Sequence, residues 1–220
     1  VAPRVEMVEL FVNGSSRGPR LLCEQIDEEA LLARGMPGDL YIGEMIGRDR
    51  YADTSNMIFD HPGLWQKVPE SPVGEEGREP LEHLIGLVNS YPSEEVHAQL
   101  SELLDMGVWG TFSAFETLSN SFHYDEVHNW RLYYDPERGR ITPIVWDPMG
   151  WAGLNRNTLD RPVHQEMMVS RLHALLFTNG DFLRARQAAF ERFYAAGLDR
   201  EFLAEAAEVR ERCRAAVDAD

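Results

Sequence analysis

Two strand-like runs joined by a short turn constrain the fold of this chain more than any other feature. Trp130 to Tyr134 and Ile141 to Trp146 are rich in β-branched and aromatic residues, and the turn sequence Asp-Pro-Glu-Arg-Gly-Arg lies between them. Because the turn fixes the register of a hairpin, centring it on 136–139 predicts partners whose numbers sum to about 275. This register places Asn129 and Asp147 together at the open end of the hairpin.

A third polar residue, Asp125, lies four positions before Asn129, in the loop that leads into the first strand. Two carboxylates and a carboxamide are therefore expected to converge at the open end. Hard oxygen ligands of this kind suit Mg²⁺ or Mn²⁺, and a spare carboxylate can accept a proton. The order Asp, Asn, hairpin, Asp is also the order in which protein kinases arrange a catalytic base and two metal ligands.

Charge and missing motifs exclude several classes of function. The chain has 37 acidic and 21 basic residues, a net charge of -16, which disfavours bulk attraction to nucleic acid or anionic lipid. No apolar run approaches the ~20 residues of a membrane span. The glycine-rich phosphate loops and the nucleophile elbow are absent from the sequence, which disfavours P-loop enzymes and serine hydrolases. Cys23 and Cys213 are too few for a disulfide scaffold, so two buried thiols are expected, with one bridge as the alternative.

The first part of the chain is predicted to contain strands. Val5–Val12 forms one strand, the turn residues 13–18 follow, and Leu21–Ile26 returns as the second strand of a hairpin. Asp27 is expected to cap a short helix that extends to Ala33. Another strand is predicted over Asp39–Ile46.

The period becomes helical after residue 80. Leu81, Leu84, Ile85 and Val88 share one helical face, and Ser93 is expected to cap the next helix. Residues 163–177 and 181–217 are also predicted to be helical. The sequence therefore predicts an α+β fold with a β-rich N-terminal part (1–58), a Pro/Gly-rich linker or loop (59–80) and a helical lobe that carries the hairpin (81–220). Because the chain lacks an initial Met and enters a strand pattern almost at once, we expect it to begin inside a longer protein.

Five segments, in order and spacing, resemble one known family. They are V-E-L-F-V-N-G at 8–14, C-E-Q-I-D at 23–27, G-D-L-Y at 38–41, D-E-V-H-N-W-R-L-Y-Y-D-P at 125–136 and T-P-I-V-W-D-P-M-G at 142–150. Together they resemble the CotH kinases, atypical protein kinases first met as spore-coat proteins. The resemblance covers most of the chain, including a helical tail around Leu175–Phe193.

The resemblance implies an atypical protein-kinase-like fold and a bacterial protein that transfers the γ-phosphate of ATP to Ser or Thr of a protein substrate. By this resemblance Asp125 is the catalytic residue that orients or deprotonates the acceptor hydroxyl. Asn129 and Asp147 hold the metal ions, Mg²⁺ or Mn²⁺, that bridge the nucleotide phosphates. Glu24 is assigned to the nucleotide site, where it steadies a cation that contacts the nucleotide. A coat, cell-surface or secreted location is implied by the resemblance alone.

Two alternatives remain open at this stage. The family usually has a second Asp two positions after Asp147, whereas this chain has Met149, which favours a CotH-like coat or surface protein that keeps the fold and acts by binding. The other alternative is a metal-dependent phosphoester hydrolase built on Asp125, His128 and Asp147. A transition-metal site at His123, Asp125 and His128 is disfavoured, because a spacing of five between the histidines fits neither one strand face nor one helical turn.

Overall fold

The computed structural model of the chain describes residues 1–44, 57–69, 77–148 and 168–217. Six strands and seven α-helices lie within these ranges. The strands are β1 (Val5–Val12), β2 (Ser15–Cys23), β3 (Asp39–Gly43), β4 (Trp65–Val68), β5 (Trp130–Asp135) and β6 (Arg140–Pro143). The helices are α1 (Glu28–Leu32), α2 (Glu79–Val88), α3 (Glu94–Leu103), α4 (Met106–Ser119), α5 (Arg171–Leu176), α6 (Gly180–Ala195) and α7 (Leu198–Val217). The α+β fold class is confirmed.

The N-terminal hairpin turns earlier than the sequence predicted. β1 matches its predicted bounds, but β2 begins at Ser15, because the turn consists only of Asn13 and Gly14. Both residues have positive φ, 54° and 79°, which is the conformation that a two-residue turn between twisted strands requires. The prediction of a turn over 13–18 and a strand over Leu21–Ile26 was therefore wrong at its boundaries.

The larger sheet has the strand order β4-β3-β5-β6, and all its neighbours are antiparallel. β3 begins at Asp39 as predicted and ends at Gly43; residues 45 and 46 of the predicted strand lie outside the described residues. β4 was not predicted, since it lies in the Pro/Gly-rich stretch interpreted as a linker or loop. It is only four residues long and pairs at the edge of the sheet, where prolines are tolerated.

The helical predictions hold where the structure describes them. Asp27 and Ser93 cap α1 and α3 through bonds from the main-chain nitrogens of Ala30 and Val96. The predicted apolar face of α2 is fully buried. The predicted helix over 181–217 is two helices, α6 and α7, which are separated at Gly197, where φ is 70°. Of the predicted helix over 163–177, residues 163–167 lie outside the described ranges, and α5 starts at Arg171.

Successive residues of the large sheet face two different cores. Trp130 and Leu132 of β5 point into the main cluster, which is formed with helices α2 to α6. Tyr133, on the other face, packs with Leu40 and Ile144 in a smaller cluster that α1 covers. The hairpin that carries the predicted site is thus held on both faces.

The cysteine prediction is corrected in part. Cys23 and Cys213 are both free thiols. Cys23 is exposed because it ends β2, and most residues of the N-terminal hairpin are exposed. Cys213 is half-buried, and its Sγ lies 3.6 Å from Sδ of Met7.

Candidate functional site

The register of the β5–β6 hairpin is the one predicted from its turn. Leu132 pairs with Pro143 and Tyr133 with Thr142, so partner numbers sum to 275. The main-chain nitrogen of Ile144 donates to the oxygen of Arg131 at 2.8 Å, which extends the same register beyond the end of β6. The chain segments that carry residues 129 and 147 therefore leave the hairpin side by side.

Both predicted metal ligands have unusual backbone conformations. Asn129 has φ of 68° and Asp147 has φ of 40°, in the left-handed region that favours glycine. Asn129 is almost fully buried, and its Nδ2 donates to the main-chain oxygen of His123 at 3.1 Å. This bond leaves the carboxamide oxygen available as a ligand. The Asp147 carboxylate is about half exposed.

Asp125 holds its own loop in shape. Its Oδ1 accepts bonds from the main-chain nitrogens of Val127 at 2.7 Å and His128 at 3.1 Å. The main-chain oxygen of Asp125 accepts a 2.7 Å bond from the indole of buried Trp130. All of these side-chain bonds are made by Oδ1, and Oδ2 makes none to the described residues.

Two histidines join the carboxylates on the two sides of the site. His128 Nδ1 lies 3.1 Å from Oδ1 of Asp125. His123 Nδ1 lies 3.0 Å from the main-chain oxygen of Asp147 and 3.4 Å from its Oδ2. The two imidazole rings meet edge to face, with centroids 4.6 Å apart. The structure thus brings Asp125, Asn129 and Asp147 into one connected cluster.

The donors of this cluster are oxygen atoms, which suit Mg²⁺ or Mn²⁺ better than Zn²⁺ or Cu²⁺. Among the described residues, no three His, Cys, Asp or Glu side chains are placed to hold one ion, which gives no support to a site made by His123, Asp125 and His128 or by Asp125, His128 and Asp147. Mg²⁺ is commonly held by one or two protein oxygens, with waters and phosphate oxygens completing the shell. Asn129 and Asp147 are the candidates for such a pair.

Buried aromatic residues pack against the segments that carry the site. Trp130 is fully buried and contacts Phe59, Trp109 and Phe112 at ring distances of 5.7, 6.2 and 6.5 Å. The hydroxyl of buried Tyr124 accepts a 3.2 Å bond from the main-chain nitrogen of Trp146, next to Asp147. Burial raises the pKa of Tyr124, so this hydroxyl stays neutral.

Glu24 lies after β2 and forms an ion pair with Arg34. Oε1 accepts from Arg34 Nη1 at 2.9 Å, Oε2 contacts Nη2 of the same guanidinium, and Oε2 accepts from the main-chain nitrogen of Arg4 at 2.8 Å. The bonds from Arg34 and then Arg4 lower the pKa of Glu24 to about 2. Within the described ranges, none of its hydrogen bonds connects it to the hairpin mouth.

Three contributors to the site were not predicted from the sequence. His123 was considered only as a transition-metal ligand. Arg131 was not considered at all, and no role was predicted for Glu126. Glu126 accepts bonds from the main-chain nitrogen of Arg171, which begins α5, and from its guanidinium, and thereby fixes the loop beside Asp125. The only available signal was the position of these residues next to Asn129 and Asp125.

A comparison with protein-family models decides the family. The model described as CotH kinase protein matches residues 1–202, which is most of the chain. The chain belongs to the CotH kinase family. The resemblance inferred from the five sequence segments is therefore confirmed, and the hairpin cluster lies within the part of this CotH-family chain that matches.

Two further findings complete the comparison. No curated protein was found to match the chain. Within the ranges that the structure describes, this CotH-family chain has no helix that combines the length and the apolar character needed to cross a bilayer.

Proposed function

We propose that this CotH-family chain is an atypical protein kinase domain with a kinase-like fold, which transfers the γ-phosphate of ATP to a Ser or Thr hydroxyl of a protein. The observation that carries the proposal is the hairpin mouth: Asn129 and Asp147 emerge side by side, and Asp125 is linked to them through the two histidines. This arrangement has the base and the two metal ligands in the order that phosphoryl transfer uses.

Asp125 acts on the acceptor. Its Oδ1 is held by the main-chain nitrogens of Val127 and His128, so Oδ2 accepts a hydrogen bond from the Ser or Thr hydroxyl and takes its proton as the new P–O bond forms. The indole bond from Trp130 to the Asp125 main chain keeps the carboxylate in a fixed position. A fixed base saves the entropy of orienting a free one.

Asn129 and Asp147 are proposed to bind Mg²⁺ or Mn²⁺ through the carboxamide oxygen and the carboxylate. The metal, when bound, neutralises charge on the transferring phosphate. Asp147 is held at its main-chain oxygen by His123, and the Asn129 carboxamide is oriented by its bond to the His123 main chain. His123 therefore contacts both ligands and restrains each of them.

The assignment of Glu24 is also a proposal. Its partner cation in the structure is Arg34, which is the group that it would steady for contact with the nucleotide. A nucleotide contact by Arg34 predicts that Arg34→Gln weakens ATP binding, whereas a purely structural pair predicts a loss of stability alone.

The direct experiment is phosphotransfer from radiolabelled ATP to a mixture of Ser- and Thr-containing proteins in the presence of Mn²⁺ or Mg²⁺. Wild type should label protein, and Asp125→Asn and Asp147→Asn should not. Glu208→Gln, an exposed carboxylate of α7, is the matched control and should behave as wild type. Labelling that is equal in all four proteins would reject the assignment.

One alternative is favoured by a specific observation. Met149, which lies outside the described residues, stands where the family usually has a second Asp, as expected for a coat or surface protein that binds without catalysing. Such a protein would label nothing while remaining folded, and it would tolerate Asp125→Asn without any change in ligand binding.

A further inference from the structure

Arg131 is a buried charge directly behind the hairpin mouth. It lies on β5, two residues after Asn129, and its side chain is only 8% exposed. Its neighbour across β3 is Ile42, and the same face of the sheet carries Tyr133 and the smaller apolar cluster. An apolar residue would fit this face without the free-energy cost of desolvating a charge.

The contacts of the Arg131 guanidinium reach three strand ends at the site. Nη1 donates to the main-chain oxygen of Trp130, the residue after Asn129, at 3.0 Å. Nη1 also lies 3.2 Å from Oε2 of Glu44, which follows β3. The guanidinium carbon sits 5.1 Å from the ring centroid of Trp146, the residue before Asp147. One side chain therefore contacts the immediate neighbours of both predicted metal ligands.

These contacts are poorly suited to stabilising the fold alone. Nε of Arg131 is buried and has no hydrogen-bond partner in the part of the chain that the structure describes. Burial lowers the pKa of Arg131, which the ion pair with Glu44 offsets only in part. A buried charge with an unsatisfied donor is commonly no more stabilising than an apolar replacement of similar volume.

We propose that Arg131 is a positioning residue for the two metal ligands. Arg131 contacts the Trp146 ring on one side and the Trp130 main chain on the other. It thereby sets the distance between Asp147 and Asn129, whose left-handed backbones could otherwise relax to other conformations. It touches neither metal nor nucleotide and acts through its neighbours. This inference rests on the proposed function, because it assigns a role at the same site.

The experiment measures ATP affinity by calorimetry, once with Mn²⁺ and once with a chelator. In Arg131→Met, the unbranched apolar side chain can keep packing on the Trp146 ring, so the fold is expected to be retained. Affinity for ATP with Mn²⁺ should fall by about tenfold to a hundredfold, the usual effect of removing a residue that orients metal ligands. Affinity for ATP without metal should not change, since Arg131 acts only through Asn129 and Asp147. A general loosening of the fold would weaken both.

Two more variants complete the test. Arg131→Lys keeps the charge for Glu44 but lacks the planar group that stacks on Trp146, so its affinity should lie between wild type and Arg131→Met. If Arg131→Met does not fold, Arg131→Lys alone is compared with wild type. Arg212→Met, at an exposed arginine of α7, should match wild type in both titrations.

The outcomes separate this inference from the proposed function. Unchanged Mn²⁺-dependent ATP binding in folded Arg131→Met, or in folded Arg131→Lys where the Met variant does not fold, would overturn the role of Arg131 and leave the proposed function standing. An equal loss of affinity with and without metal would also overturn it. No ATP binding by wild type would overturn the proposed function, and the positioning role with it.

Discussion

Asn129 and Asp147, on the two sides of the hairpin mouth, both have a left-handed backbone, with φ of 68° and 40°. Such conformations cost a non-glycine residue of order 1–3 kcal/mol and persist where the surrounding structure holds them. Here the hairpin register, the His123 contacts and the buried Trp130 hold them. Both residues contact His123, Asn129 through its carboxamide nitrogen and Asp147 through its main-chain oxygen.

The first prediction concerns this strain. Asp147→Gly removes the energetic cost of the left-handed conformation, because glycine has no Cβ. It should therefore raise the free energy of unfolding by about 1 kcal/mol, equivalent to ~2–4 °C in Tm for a chain of this size. The same variant should lose Mn²⁺-dependent ATP binding. Thermal unfolding and calorimetry check the two effects. Asp147→Ala is the control, since it removes the carboxylate but keeps the strain, and a stabilised Asp147→Gly that binds like wild type would count against the metal role.

The second prediction compares two helical glycines. A Cβ at Gly110 of α4 would lie 2.5 Å from the main-chain nitrogen of Arg186 in α6, whereas a Cβ at exposed Gly86 of α2 would meet no atom within 4 Å. Gly110→Ala should therefore force α4 and α6 apart and destabilise the protein by about 1–3 kcal/mol. Gly86→Ala should stabilise it by about 0.5–1 kcal/mol through helix propensity. Urea unfolding measures both, and equal midpoints would show that the α4–α6 contact is looser than described.

The third prediction concerns a buried pair between α4 and α5. His173 Nε2 lies 3.0 Å from Oε1 of Glu116, both residues are 1% exposed, and Oε2 of Glu116 is one of two buried side-chain atoms without a partner among the described residues. His173→Leu leaves the carboxylate alone and should cost about 3–5 kcal/mol.

The double variant Glu116→Met with His173→Leu tests the reason for that cost. Because it removes both polar partners, it should be less destabilised than His173→Leu alone. Chemical denaturation of the three proteins measures the difference. A double variant that is less stable than the single one would mean that packing, and not the unpaired carboxyl group, dominates.

The fourth prediction is a pH dependence at the N-terminal hairpin. The bonds from Arg34 and Arg4 lower the pKa of Glu24 from 4.5 to about 2 in the folded protein. A lowered acid pKa means that its contribution to stability is fully present above pH 4.5 and is lost as the pH falls toward 2. Glu24→Gln should therefore have a lower urea midpoint than wild type at neutral pH, and the difference should shrink across that window. A constant difference at all pH values would contradict the ion-pair account.

The sequence predicted the hairpin register better than it predicted the edges of the fold. The hairpin register followed from one turn, because the turn geometry and the period of two leave few alternatives. That register brought Asn129 and Asp147 together. β4 was missed, since four residues between prolines and glycines have no periodicity to recognise, and their strand character comes from pairing with β3.

The parts of the site that were not predicted are those that depend on three-dimensional neighbours. Nothing in the spacing of His123 and His128 indicates that their rings meet 4.6 Å apart, because the contact follows from the path of the loop between them, which Asp125 holds through its bonds to Val127 and His128. Arg131 lies inside a strand and belongs to no motif, so only its contacts with Trp146 and Glu44 reveal it. The assignment of roles to Asp125, Asn129, Asp147 and Glu24 stays a prediction until it is tested.

The measurement that tests the central claim most directly is calorimetric titration of the folded protein with ATP in the presence of Mn²⁺, repeated with Asp147→Asn. Asn tolerates the left-handed backbone, so this variant removes the charge with the least change in shape. The account predicts that wild type binds ATP more tightly with Mn²⁺ than without it, and that Asp147→Asn loses this gain in affinity. Absence of binding by the folded wild type, or equal binding by the variant, would contradict it.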